Sequence, residues 1–214
     1  MTIEARPLLV LLNWMSPAFP TGGFAYSHGL EWAIEQGVVR TAEDLGGWIS
    51  DILVRGSGWN DAVIFAQCWE SDPATLNELA LALASSRERH FETVQLGRAF
   101  AIAARVFLPG EEVDGETAYP VAAGTACRAM GIARNPALLA FLQGFCAALT
   151  SVAVRLVPLG QTRGLVAQRD LMPVIEETAR RAAAASLDDL ATTTILSDIA
   201  AMRHETMHSR VFRT

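Results

Sequence analysis

The chain contains no lysine: all 17 basic residues among its 214 are arginine. That absence excludes a Schiff-base lysine, a lysine general base and a Walker-type phosphate lysine. Arginine suits interfaces and bidentate carboxylate pairing, although codon bias gives the same composition. Charge is scarce, at 19% of residues, below the usual quarter. Seventeen bases against 23 acids leave a formal net charge of −6, which argues against general nucleic-acid binding. No CxxC pair occurs. Cys68, Cys127 and Cys146 are far apart, odd in number and set among apolar residues, the pattern of buried, reduced thiols in a cytosolic protein. None has a local histidine to activate it. Strand-type alternation and internal repeats are also missing. The apolar run Leu8 to Leu12 is too short for a good signal peptide and leads into a Pro/Gly-rich stretch.

What is present is apolar and helical. Hydrophobic residues make up 51% of the chain, enough to exclude intrinsic disorder and to suggest a core plus some surface reserved for a partner. Leu45, Trp48, Ile49, Ile52 and Leu53 recur at i, i+3, i+4, i+7 and i+8, one face of a helix. Thr41 is its N-cap candidate, with Asp44 three residues on. Asp72-Pro73 and Asn135-Pro136 read as helix starts, as does Ser186 ahead of Asp188 and Asp189. Leu138, Leu142, Phe145, Leu149, Val152 and Leu156 form one long stripe. No charge interrupts Pro136 to Val154, a length near that of a membrane span, but its polar residues favour a core helix. Pro109 to Ala118, with four acidic residues and two glycines, reads as an exposed acidic loop. The expected fold is all-α: a single-domain helical bundle over residues 1–214, with a central apolar helix near 136–157.

Four segments carry chemistry to weigh. Ser16 to Phe24 holds two prolines and a glycine pair, but no Gly-Lys-Ser/Thr, so it reads as a rigid turn rather than a phosphate loop. A helix is expected to begin near Phe24 and to place Phe24, His28 and Glu31 on one face, with Tyr26 and Leu30 together on another. Spacing leaves interface and core equally open for these side chains. Arg87, Glu88, Arg89, His90, Glu92 and Arg98 read first as a solvated, salt-bridged helix face, and only secondarily as acid/base residues. His204-Glu205-Thr206-Met207-His208 matches H-E-x-x-H, whose histidines would bind zinc from successive helical turns. Only six residues follow it, and none is a third ligand. His204 and His208 therefore stand as weak metal candidates. The same tail, residues 203–214, carries Arg203, Arg210 and Arg213 among Met207, Val211 and Phe212. It reads either as a frayed end or as a segment that orders on a partner.

Taken together, SPAFPTGGFAYSHGLE (Ser16 to Glu31), SRERHFETVQLGR (Ser86 to Arg98), RLVPLGQT (Arg155 to Thr162) and DIAAMRHETMHSRVFRT (Asp198 to Thr214) resemble the UreF-type urease accessory proteins. The resemblance spans nearly the whole chain, with the four blocks in order. It implies a cytoplasmic, non-enzymatic assembly factor with no cofactor of its own. Such a factor binds the UreD-type accessory protein (UreH in some organisms), recruits the GTPase UreG and docks it on apo-urease, with nickel and GTP handled by the partners. It also implies homodimer formation, an influence on GTP hydrolysis, and no nucleic-acid or membrane partner. Carried over by position, the partner-binding residues are Phe24, Tyr26, His28, Glu31, Arg87, Glu88, Arg98, Gln161, Arg203, His204, Glu205, Ser209 and Arg210. Met207 and His208 depart from the family tail, so the second zincin-like histidine is not a family feature. The expectation is that the Phe24 turn and the Arg210 tail form separate partner surfaces, the tail folding on binding.

Overall fold

A computed structural model describes residues 4–108 and 116–213. Most of the expected acidic loop, residues 109–115, lies outside the described residues. The described chain is all-α, with no strand among those residues. Its ten helices are α1 Ala5–Trp14, α2 Leu30–Glu35, α3 Ala42–Arg55, α4 Ser57–Gln67, α5 Pro73–Ala82, α6 Arg87–Ala104, α7 Tyr119–Ala129, α8 Arg134–Leu156, α9 Gly160–Ala182 and α10 Ile195–His204.

Local signals set several starts. Thr41 and Asp44 cap α3 reciprocally, each side chain accepting the other's backbone N–H. Asp72 caps α5, with Pro73 in its first turn. Two starts fall elsewhere. Helix α8 begins at Arg134 on an Ala133 cap, which leaves Asn135 inside it. Ser186 and Asp189 close a capping box on one 3-10 turn, Leu187–Asp189, rather than on an α-helix.

The apolar stripe made α8 the centre. Leu138, Leu142 and Val152 are fully buried, and the helix packs on α2, α3, α4, α7 and α9. It is long and apolar enough to cross a membrane, but its buried face serves the core here. Phe65 stacks on Phe141 with ring centroids 4.6 Å apart, and Trp14 meets Phe100 edge-on at 5.5 Å. Helices α6 and α7 pair closely, and Gly97 permits it: a Cβ there would lie 1.9 Å from the Thr117 carbonyl oxygen. All three cysteines are free and buried. Burial pushes the thiols of Cys68 and Cys146 up to about 12, which keeps them protonated and unreactive.

Helix α10 lies across α2 and α6. The approach depends on Gly29, the left-handed cap of α2 (φ 75°). Any Cβ there would sit 2.6 Å from the Ala201 backbone nitrogen, so only glycine satisfies both the dihedral and the contact.

Candidate functional site

No helix begins at Phe24. Pro17 and Pro20 bracket a turn, Gly22 takes φ 76°, and a single 3-10 turn spans Gly23–Ala25. His28 follows in the left-handed region at φ 56°, and α2 starts only at Leu30. Phe24, His28 and Glu31 therefore share no helical face. Phe24 is 62% exposed, whereas Tyr26, His28 and Glu31 are buried.

Glu31 points from α2 toward the C-terminal tail. Its Oε1 accepts the Val211 N–H at 2.7 Å, and its Oε2 accepts the Phe212 N–H at 2.9 Å. The same Oε2 lies 3.1 Å from Nε2 of His204, which is fully buried at the end of α10. On the other side of the ring, Nδ1 is 2.7 Å from Glu88 Oε2 in the first turn of α6. The Arg210 guanidinium pairs with the second oxygen of Glu88. Glu205 Oε1 accepts the Glu88 backbone N–H at 3.2 Å, and its carboxylate lies 3.8 Å from Arg87. An acid at the start of α6 and the basic Arg203–His204 pair at the end of α10 both suit the helix dipoles. In this arrangement the tail lies against α2 and α6. Two backbone N–H groups find a charged acceptor, and the Phe212 ring finds a buried seat.

That seat joins the tail to the Phe24 turn. The Arg155 guanidinium lies over the Phe212 ring, 4.5 Å from its centroid. Its Nη2 donates to the Phe24 carbonyl at 2.7 Å. The Arg213 N–H donates to the Ala25 carbonyl at 2.8 Å. The expectation was of two separate partner surfaces; here Arg155 brackets the Phe24 turn and Phe212, and Arg213 reaches the same turn. Arg155 and Phe212 are the residues that sequence reasoning left out of the site. An arginine and an aromatic far apart in sequence give no signal that they will stack.

A second cluster lies deeper, on the inner side of α6. The Arg89–Glu92 pair is in contact and almost fully buried. The Nδ1 atom of His28 lies 3.0 Å from Arg89 Nη1 and 3.1 Å from Glu92 Oε1. Its ring packs edge-on against Phe145, with centroids 4.9 Å apart. Asp61 of α4 is 3.8 Å from Arg89. The charged run on α6 is thus not the solvated face that was expected, because its i, i+3 pair turns inward. Burial, and then the Arg89 charge, hold the His28 imidazole below its ordinary range. Burial pushes the Asp61 carboxyl up to about 6, with Arg89 opposing. For Glu92 burial also acts upward, but Arg89 and His28 outweigh it and leave the carboxyl at about 2. A cavity of about 160 Å3 leads from Thr21 and Phe24 down to this cluster.

The other candidates are exposed. Arg87 and Arg98 are exposed on α6, and Gln161 is exposed at the start of α9. Arg203, Ser209 and Arg210 are exposed around the tail. The zincin-like reading fails on geometry. Helix α10 ends at His204, so His208 is not one helical turn away on the same helix. Both nitrogens of His204 already face carboxylates on opposite sides of the ring. Among the described residues no group of three or more His, Cys, Asp or Glu side chains is placed to hold a metal ion.

A family model described as UreF matches residues 39–172. The urease accessory protein UreF 1 of Brucella anthropi is 45% identical over 220 residues, covering 100% of this chain and 96% of that protein. The urease accessory protein UreF of Brucella ovis is 47% identical over 215 residues, covering 97% of this chain and 94% of its own length. That of Rhizobium leguminosarum bv. viciae is 47% identical over 218 residues, covering 99% and 98%.

Proposed function

The chain belongs to the UreF family, and from that premise we propose that it is a non-catalytic scaffold for urease maturation. In this reading it binds the UreD/UreH-type accessory protein and recruits the GTPase UreG for GTP-dependent nickel insertion into apo-urease. Nickel is cargo handled by the assembly rather than a resident cofactor. Cytoplasmic location, a single domain and homodimer formation belong to the same proposal, as does an effect on the hydrolysis of GTP by UreG.

The observation that carries the reading is the continuous face built from the Phe24 turn and the tail. An exposed aromatic beside arginines is the composition of an interface anchor. Arg155 and Arg213 reach this turn, and Arg210 of the same tail pairs with Glu88. Burial keeps the three thiols protonated.

Size-exclusion chromatography with light scattering on the chain mixed with its cognate UreD-type protein tests this. A stable complex larger than either component is expected, and Arg210→Ala should weaken it while leaving the chain folded. Two separate folded peaks for the wild-type chain would remove the scaffold role.

A further inference from the structure

The cavity that leads down from the Phe24 turn has walls and a floor of opposite character. Phe24, Leu96, Phe145 and Leu149 line it above, and Asp61, Arg89 and Glu92 line it below. Glu92 is in contact with Arg89, and the same guanidinium is the one cation paired with Asp61 among the described residues, at 3.8 Å. Two acids thus share one guanidinium. His28 beside them is held toward its neutral form by burial and then by Arg89. Once Asp61 has lost its proton, the floor carries one net negative charge.

That shortfall of positive charge sets what the cavity can take. An anion would meet charge of its own sign. An apolar plug would cover the Asp61 carboxylate and give it no donor, which is costly. An alkylammonium meets both demands: its carbon stem lies against rings and leucines, and its head brings a charge and three donors to the floor. Aromatic rings in the wall add attraction for a cation. This chain cannot supply such a group itself, because it contains no lysine. Its arginines at the Phe24 turn are already engaged, Arg155 on the Phe24 carbonyl and the Phe212 ring, and Arg213 on Tyr26.

We propose that the cavity receives a lysine side chain from the protein that docks on the Phe24 turn, with the ammonium at Asp61. The inference rests on the reading of that turn as a partner surface and adds the chemistry that the partner must bring. The compact ammonium needs less room at the floor of a cavity of about 160 Å3 than a planar guanidinium does. Phe24 stands 62% exposed at the rim. A partner that covers it closes the mouth and takes water away from the ion pair, the arrangement of an interface hot spot. A charge pair of this kind also fixes the register of docking.

The probe is n-butylammonium, which carries the lysine stem and head, titrated into the full chain and followed by NMR of the aromatic and methyl signals. The titration is run at about pH 8, above the value of about 6 to which burial raises the Asp61 carboxyl. Saturable shifts are expected at Phe24, Phe145 and Leu149, with binding at least about fivefold tighter than that of neutral 1-pentanol. Asp61→Asn should abolish this preference. Should that variant not fold, Ser151→Trp serves, because Ser151 is exposed and lines the cavity, and a bulky ring there should block entry. Equal binding of pentanol, no saturable binding, or a preference that survives the variant overturns the inference. In the complex with the UreD-type protein the butylammonium shifts should vanish, because the cavity is filled. A complex that still takes up butylammonium overturns the inference and leaves the scaffold role standing. Failure of any complex to form removes the scaffold role and this occupant with it.

Discussion

Two histidines sit against helix α6 and are opposites. His28 lies on its inner side between the Arg89 guanidinium and the Glu92 carboxylate that pairs with that arginine. His204 lies at its first turn between two carboxylates, with the nearest arginine beyond one of them. Both rings are buried, so burial alone distinguishes nothing. What differs is the charge that reaches the ring. At His28 burial, and then the Arg89 charge, favour the neutral ring, with Glu92 opposing, whereas His204 is set between carboxylates from two helices. The partners differ too. The His28 cluster ties α4 and α6 to the α2 approach, all within the helical body. The His204 cluster ties the body to a chain end, so its failure frees a segment rather than the fold.

The largest effect is expected in the inner cluster. Glu92→Gln strands the buried Arg89 charge and should destabilise the chain by about 3–5 kcal/mol. Asp61, 3.8 Å away, holds the loss toward the lower figure. Denaturant unfolding measures it, and a loss below about 1 kcal/mol would remove the cluster's structural role. Glu31→Gln comes next. It keeps the shape but removes the charge that accepts the tail amides, at about 1–3 kcal/mol, and hydrogen exchange should find that loss at Val211 and Phe212 rather than in α8.

Asp61 makes a smaller, pH-shaped contribution. Its carboxyl is raised from 3.8 to about 6 in the folded chain, so the native state keeps a proton that the unfolded state releases. Stability should therefore decline as pH rises through that window, and Asp61→Asn should remove this part of the slope. Glu92, lowered from 4.5 to about 2, acts with the opposite sign: its stabilisation is present above about 4.5 and is lost as pH falls toward about 2. Both slopes come from thermal or denaturant unfolding at stepped pH. The smallest stability change belongs to Phe24→Ala. The side chain is exposed, so stability should move by no more than about 0.5 kcal/mol, leaving any binding defect attributable to the surface itself.

The helical signals written in neighbouring residues were legible from sequence. Thr41 with Asp44, Asp72 with Pro73 and the α8 stripe each act within a few residues, and each formed as read. The sites were not legible in the same way. Glu31 and His204 are 173 residues apart, and their meeting depends on α10 crossing α2 at Gly29. The H-E-x-x-H pattern drew attention to His204 for a metal, while its environment supplies two carboxylates to one ring. The run from Arg87 to Glu92 read as a solvated face because charge patterning alone does not tell which side of a helix another helix will cover. Phe24 and Arg210 were both marked for partner contact, but the contacts of the Phe24 turn with Arg155, Phe212 and Arg213 required the tail's path.

That union is the central claim, and a double-mutant cycle tests it most directly. Binding of the UreD-type partner would be measured by calorimetry for the wild type, Phe24→Ala, Arg210→Ala and the double variant. One continuous face predicts non-additive losses, with a coupling of at least about 0.5 kcal/mol. Losses that add to within about 0.3 kcal/mol would mean independent surfaces and would contradict the account.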